Sequence, residues 1–167
     1  VFPLGIGSPF FQSLPLEAHG LEWVHAPAPL AHPFDDGTAA VLERSLDETA
    51  ERLGRDASAY RRLMAPLVAD WDKLTVDILA PFRFPRPPFV PARFGMRAIR
   101  SAYGLAMGTF KDETARGLFA GLGGHSMLPL ERPLTAAFGL VLGASGHAVG
   151  WPISRGGSGK ISEALAS

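Results

Sequence analysis

Apolar residues recur at three- and four-residue steps from Tyr60 through Leu63, Met64, Leu67, Trp71 and Leu74 to Ile78. This spacing predicts an amphipathic helix, the strongest periodic signal in the chain. Asp56 is its expected cap, Pro66 its expected kink and Pro81 its stop. Upstream the segments are short. Leu21–His25 reads as a strand. Leu30–Phe34 and Thr38–Arg44 flank Asp35-Asp36-Gly37 as a hairpin, because Asp-Gly supplies the left-handed backbone of a tight turn. Ala26–Pro29 is an extended linker. Ser45 and Glu48 stand in capping-box register for a short helix that runs to Leu53 and stops at Gly54. Further helices are expected near 94–107, 112–122 and 132–145, then a strand near 147–152, a glycine-rich turn and a last helix. The predicted fold is α+β and mostly helical, one domain over 1–167, with a small, mainly antiparallel sheet from about residues 20–44 and 147–152.

Two stretches admit a second reading. Pro133–Trp151 carries no Asp, Glu, Lys or Arg and contains Gly139-x-x-x-Gly143 and Gly146-x-x-x-Gly150. That invites comparison with a membrane span, but four glycines and a histidine favour a buried helix running into a strand. Phe82–Pro91 is too proline-rich for a helix or an inner strand. It reads as a rigid connector, with a protein-recognition segment as the alternative.

Composition narrows the classes. The apolar share is 47% and the charged share 19%, below the usual quarter, so some surface is expected to lie against other parts of a larger protein. The chain begins at Val1 and ends inside a helix, and it is expected to be an internal piece of that protein. Its exposed face would then favour homodimer formation in isolation. Net charge is zero and no basic run is present, which gives nucleic-acid binding no electrostatic support. Cysteine is absent, which removes disulfides and cysteine-rich zinc sites.

Several catalytic signatures fail letter by letter. Gly159-Lys160 lacks the first glycine and the hydroxyl of a phosphate loop, since Ser154 and Ile161 stand there. Gly5-x-Gly7 and Gly121-x-Gly123 lose their third glycine to Phe10 and Ser126. Gly143-x-Ser145-x-His147 misses a nucleophile elbow at its second glycine. His19, His25 and His32 are spaced six and seven apart and read as structural histidines, not converging metal ligands. Asp35 and Asp36 read as turn residues. His125, after the pair Gly123-Gly124, reads as a helix stop, with close approach of a ligand as the alternative. The turn Arg155-Gly156-Gly157-Ser158 opens a helix whose first backbone N–H groups are free, which suits an anion or the polar edge of a cofactor.

The order of five segments resembles the phytoene dehydrogenase-like family of FAD-dependent oxidoreductases, related in fold to flavin amine oxidases. The segments are Phe2–Phe11, His19–Trp23, Ala31–Gly37, Gly124–Ser126, and Gly150–Pro152 with Arg155–Ser158. The resemblance covers essentially the whole chain. It implies a substrate-binding domain whose FAD-binding segments lie on either side in the larger protein, so no FAD is expected on this piece alone. It implies hydride transfer between an apolar, isoprenoid- or lipid-like substrate and flavin N5. Arg155, Gly156, Gly157 and Ser158 would then face the flavin, and His125 and Trp151 would line the substrate pocket. The implied partner is the FAD-binding domain of the same protein, and the implied location is cytoplasmic or peripheral to a membrane. A non-enzymatic helical domain that binds an apolar ligand or a partner protein is the alternative.

Overall fold

The computed structural model describes residues 1–79 and 89–167, with backbone only at 89–92. In chain order the elements are helical turns α1 (Pro3–Ile6) and α2 (Pro9–Gln12), and strands β1 (Trp23–Val24), β2 (Leu30–Pro33) and β3 (Ala39–Leu42). Helices α3 (Leu46–Arg52), α4 (Ala57–Ala69), α5 (Trp71–Ile78), α6 (Phe89–Ala98), α7 (Ala102–Thr109), α8 (Glu113–Gly124) and α9 (Thr135–Ala148) follow. Strand β4 (Ile153–Ser154) and helix α10 (Gly159–Ala166) close the order. The fold is α+β and mostly helical, as the periodicity predicts.

The apolar stripe on α4 and α5 buries Tyr60, Leu63, Met64, Leu67, Trp71 and Leu74 against α9 and its neighbours. The single long helix expected here is two helices. Pro66 sits inside α4 and the break falls at Asp70. Asp56 is not a side-chain cap either. Its buried carboxylate accepts bonds from the backbone N–H groups of Lys111 (3.0 and 2.9 Å) and Asp112 (2.7 Å), and so ties the start of α4 to the α7–α8 junction. The helix expected near 94–107 is likewise two, α6 and α7, separated at Ile99–Ser101, where the Ser101 hydroxyl accepts from Gly104 N–H. Ser45 caps α3 as its sequence predicts, accepting from Glu48 N–H at 3.2 Å. The proline-aromatic connector lies outside the described residues up to Pro88, and its end, Phe89–Pro91, already belongs to α6.

The predicted single sheet is two. β2 and β3 form the Asp-Gly hairpin, Leu30 opposite Leu42. Asp36 fastens its turn by accepting from both the N–H and the hydroxyl of Thr38. β1 pairs separately and antiparallel with β4, Trp23 opposite Ser154. The last strand therefore lies at 153–154, not 147–152, because His147 and Ala148 are still helical.

Helix packing explains the glycine spacing. Phe34, just past the end of β2, and His32, two residues earlier within it, lie over Gly117 and Gly121, four apart on α8, and a Cβ at either glycine would meet those rings. Period two on a strand meets period 3.6 on a helix one turn at a time. Gly139 and Gly143 of α9 admit Phe119 and the Met64 thioether in the same way. The uncharged stretch is a buried packing helix, and no helix among the described residues is long and apolar enough to cross a membrane.

Candidate functional site

The C-terminal end of α9 gathers the residues singled out in the sequence. Gly150 turns the chain out of the helix, and Trp151 folds back beneath it. The indole N–H donates to Ser145 Oγ at 3.0 Å and to the Leu142 carbonyl at 3.2 Å. Those two bonds fix the ring, which is buried. His125, exposed at the C-terminal cap of α8, stands edge-on to it with ring centroids 5.7 Å apart and planes at 90°. His125 and Trp151, 26 positions apart, thus form one aromatic corner. Ser145, the serine of the near-miss elbow, is buried in the last turn of α9 with its oxygen engaged by Trp151 and by Leu142.

From Trp151 the chain runs through β4 into the turn. Arg155 N–H donates to the Glu22 carbonyl at 2.9 Å, and its Nε meets the Glu22 carboxylate at 2.7 Å. Arg155 is pinned beside β1, not extended over the turn. Gly156 and Gly157 have φ of 82° and 97°, backbone that only glycine adopts without strain. Ser154 closes the loop, accepting from Gly157 N–H and donating its hydroxyl to the Gly157 carbonyl. A Cβ at Gly157 would meet nothing within 4 Å, so this peptide faces open space. Helix α10 follows with Ser158 at its N-cap; the serine side chain makes no capping bond, and the Lys160 and Ile161 N–H groups donate to the Gly157 and Ser158 carbonyls at 3.2 and 3.1 Å.

The histidines divide by environment. His32 lies over Gly121 with Nε2 buried and without a protein partner. Burial, and then the nearby charge of His125, hold it below the ordinary imidazole range. His25 rests against Gly150 and faces the Arg44 guanidinium at 3.3 Å; partial burial and then that charge lower it too. His19 is exposed. Among the described residues no group of His, Asp and Glu is arranged to hold a metal ion.

His147 has a role that its place in a failed motif concealed. Its Nδ1 lies 3.3 Å from the Arg44 carbonyl, which can only accept, so Nδ1 carries the proton. Nε2 then accepts from the buried Tyr60 hydroxyl at 2.7 Å. Burial holds the imidazole below its ordinary range and pushes the phenol well above its own. The neutral pair links α4, α9 and the end of β3. The signal available in the sequence was Tyr60 on the apolar stripe and a lone polar ring at the end of an uncharged helix.

A second feature was not visible in the sequence. The half-buried Trp23 separates two open hollows. One, of about 420 Å³, is lined mainly by Ile6, Phe11, Leu14 and Leu16. The other, of about 650 Å³, is lined by Ile6, Leu21, His25 and the carboxylate-bearing Glu17 and Glu22. Compared with family models, curated proteins and solved structures, the chain matches none.

Proposed function

We propose that this chain is the substrate-side part of a FAD-dependent oxidoreductase, phytoene dehydrogenase-like, that moves a hydride between an apolar isoprenoid- or lipid-like molecule and flavin. The observation that carries the reading is the Arg155–Ser158 turn. It has two successive left-handed glycines and an open peptide at Gly157, and two residues of strand join it to the Trp151–His125 corner. A flat ring system needs such a wall, where backbone approaches without a side chain between. The residues here fit one wall of a flavin site and nothing more. No glycine-rich cradle for a pyrophosphate accompanies them among the described residues, and that part is assigned to the FAD-binding domain of the larger protein. FAD, when bound, supplies the hydride acceptor. Arg155, held beside Glu22, would offset charge near the ring only by leaving that exposed pair, and His125 and Trp151 would shape an apolar pocket that excludes water. The corresponding location is cytoplasmic or peripheral to a membrane.

The test is the coding region around this segment and the flavin content of its product. A glycine-rich βαβ start upstream and a purified protein that retains FAD support the reading. A product of this length that retains none opposes it. The hollows beside Trp23 favour a second reading, a non-enzymatic domain that takes an apolar ligand. Under that reading a fatty acid quenches Trp23 fluorescence in the isolated chain, and the Trp23→Leu variant loses the response.

A further inference from the structure

From Ile78 to Phe110 the sequence carries five arginines and no acid. The whole chain has sixteen charges of each sign, so the remainder holds eleven cations against sixteen acids. A one-sided excess on a neutral protein attracts the opposite charge to that place.

Arg93, Met96 and Arg100 recur at three and four residues along the outer side of α6 and into the turn after it, and all are exposed. Met96 is 68% exposed and the adjacent Ile99 61%. On α7, Tyr103 and Met107 are one turn apart and exposed, while Ala102, Leu105 and Ala106 face the core. Two backbone bonds bring the α8–α9 loop to the same edge, Leu134 N–H to the Ile99 carbonyl and Tyr103 N–H to the Leu130 carbonyl. Leu134, Phe138 and Arg132 are exposed there, and Glu131 is the one acid of that loop. Among the described residues none of Arg93, Arg97, Arg100 and Arg132 is in an ion pair.

The same loop holds the two non-glycine residues with left-handed backbone among those described, Met127 (φ 56°) and Leu134 (φ 72°). Such backbone costs about 1–3 kcal/mol for a bulky residue. Here it holds apolar side chains in water, Met127 being 90% exposed, where the free protein recovers nothing.

We propose that this face docks on an anionic phospholipid surface. Met96, Ile99, Tyr103, Met107, Leu134 and Phe138 enter the acyl boundary, and Arg93, Arg100 and Arg132 meet the phosphates. A second copy of the chain fits the face poorly, because a two-fold contact sets the same arginines against one another. The contact is peripheral, and no helix among the described residues is long and apolar enough to span. This docking deepens the membrane-peripheral location of the proposed function and rests on that location, but not on the flavin chemistry, since its test reads no activity.

The 167-residue chain is sedimented with vesicles of phosphatidylcholine alone and of phosphatidylcholine mixed with phosphatidylglycerol. It pellets with the mixed vesicles, and added salt weakens the binding. Replacing Arg93, Arg100 and Arg132 by Gln lowers affinity about fivefold per arginine removed. The Met96→Asp/Ile99→Asp variant stops pelleting, yet melts within a few degrees of wild type because both positions are exposed. Equal pelleting with neutral vesicles, no pelleting at all, or arginine variants that bind like wild type would overturn the proposal. So would a wild-type dimer in ultracentrifugation that Met96→Asp/Ile99→Asp dissociates while vesicles bind neither form.

Discussion

The helical core around α4, α8 and α9 and the β1–β4 end of the molecule are built differently. In the core the buried polar side chains are answered inside the fold, with His32 Nε2 and Trp71 Nε1 the exceptions among the described residues. Asp56 receives two backbone N–H groups, and Tyr60 and His147 satisfy each other. The β1–β4 end has a small apolar cluster of Leu16, Leu21 and Ala164, a two-residue strand pair, and an exposed ion pair between Arg155 and Glu22. Its glycine turn faces outward and Trp23 borders open hollows. A region that buries little and is held by few contacts exchanges them at low cost, which is what binding requires. The proposed site sits where the thin region meets the thick one, and Trp151 is the hinge post, buried on the core side and followed by the turn.

Breaking the core should therefore cost more than breaking the thin end. Asp56→Ala removes the shared carboxylate acceptor of two part-buried N–H groups between α4 and α8, and should destabilise by about 3–5 kcal/mol in urea unfolding. His147→Ala removes a buried ring and orphans the Tyr60 hydroxyl, for about 2–4 kcal/mol. The same residue sets a pH dependence. Its folded imidazole titrates below the ordinary value near 6.5, so the unfolded chain binds protons first as the solution is acidified. Stability is fully present above about pH 6.5 and declines as pH falls below it. Tm measured from pH 8 to pH 5 should drop, and His147→Asn should flatten the drop. Part of the slope should survive in that variant, because His25 and His32 are lowered in the same direction. At the thin end, Gly157→Val places a side chain where φ is 97° and should cost about 1–3 kcal/mol, with amide exchange accelerated mainly in β4 and α10. Arg155→Gln should change stability by no more than about 0.5 kcal/mol, since its pair with Glu22 is solvent-exposed. If Arg155→Gln destabilised as much as His147→Ala, the distinction between the two regions would fail.

Local chemistry made much of the fold legible. The Asp36-Gly37 hairpin, the Ser45 cap and the Tyr60–Leu74 stripe depend on residues close in sequence, and each stands where its spacing predicts. Long-range partners were not legible. Asp56 sits in a capping position, but its carboxylate is taken by amides 55 and 56 residues away. The break at Asp70 and the separate pairing of β1 with β4 are encoded in no local period. At the candidate site the glycine turn was readable because a left-handed pair needs glycine. The meeting of His125 with Trp151 is geometry between two helix ends, and the spacing along the chain carries no sign of it. The Arg155–Glu22 pair was equally hidden, and it moves that guanidinium away from the open face of the turn.

The central proposal is that the Gly156–Gly157 backbone would form a wall against flavin. Its most direct test is bound flavin and single-turnover flavin reduction in the complete gene product, measured side by side for wild type and Gly157→Val. The account predicts a wild-type protein that carries FAD and a variant that folds but loses flavin, or reduces it at least about tenfold more slowly, as a misplaced reacting ring requires. A variant with unchanged flavin content and unchanged reduction rate would contradict it.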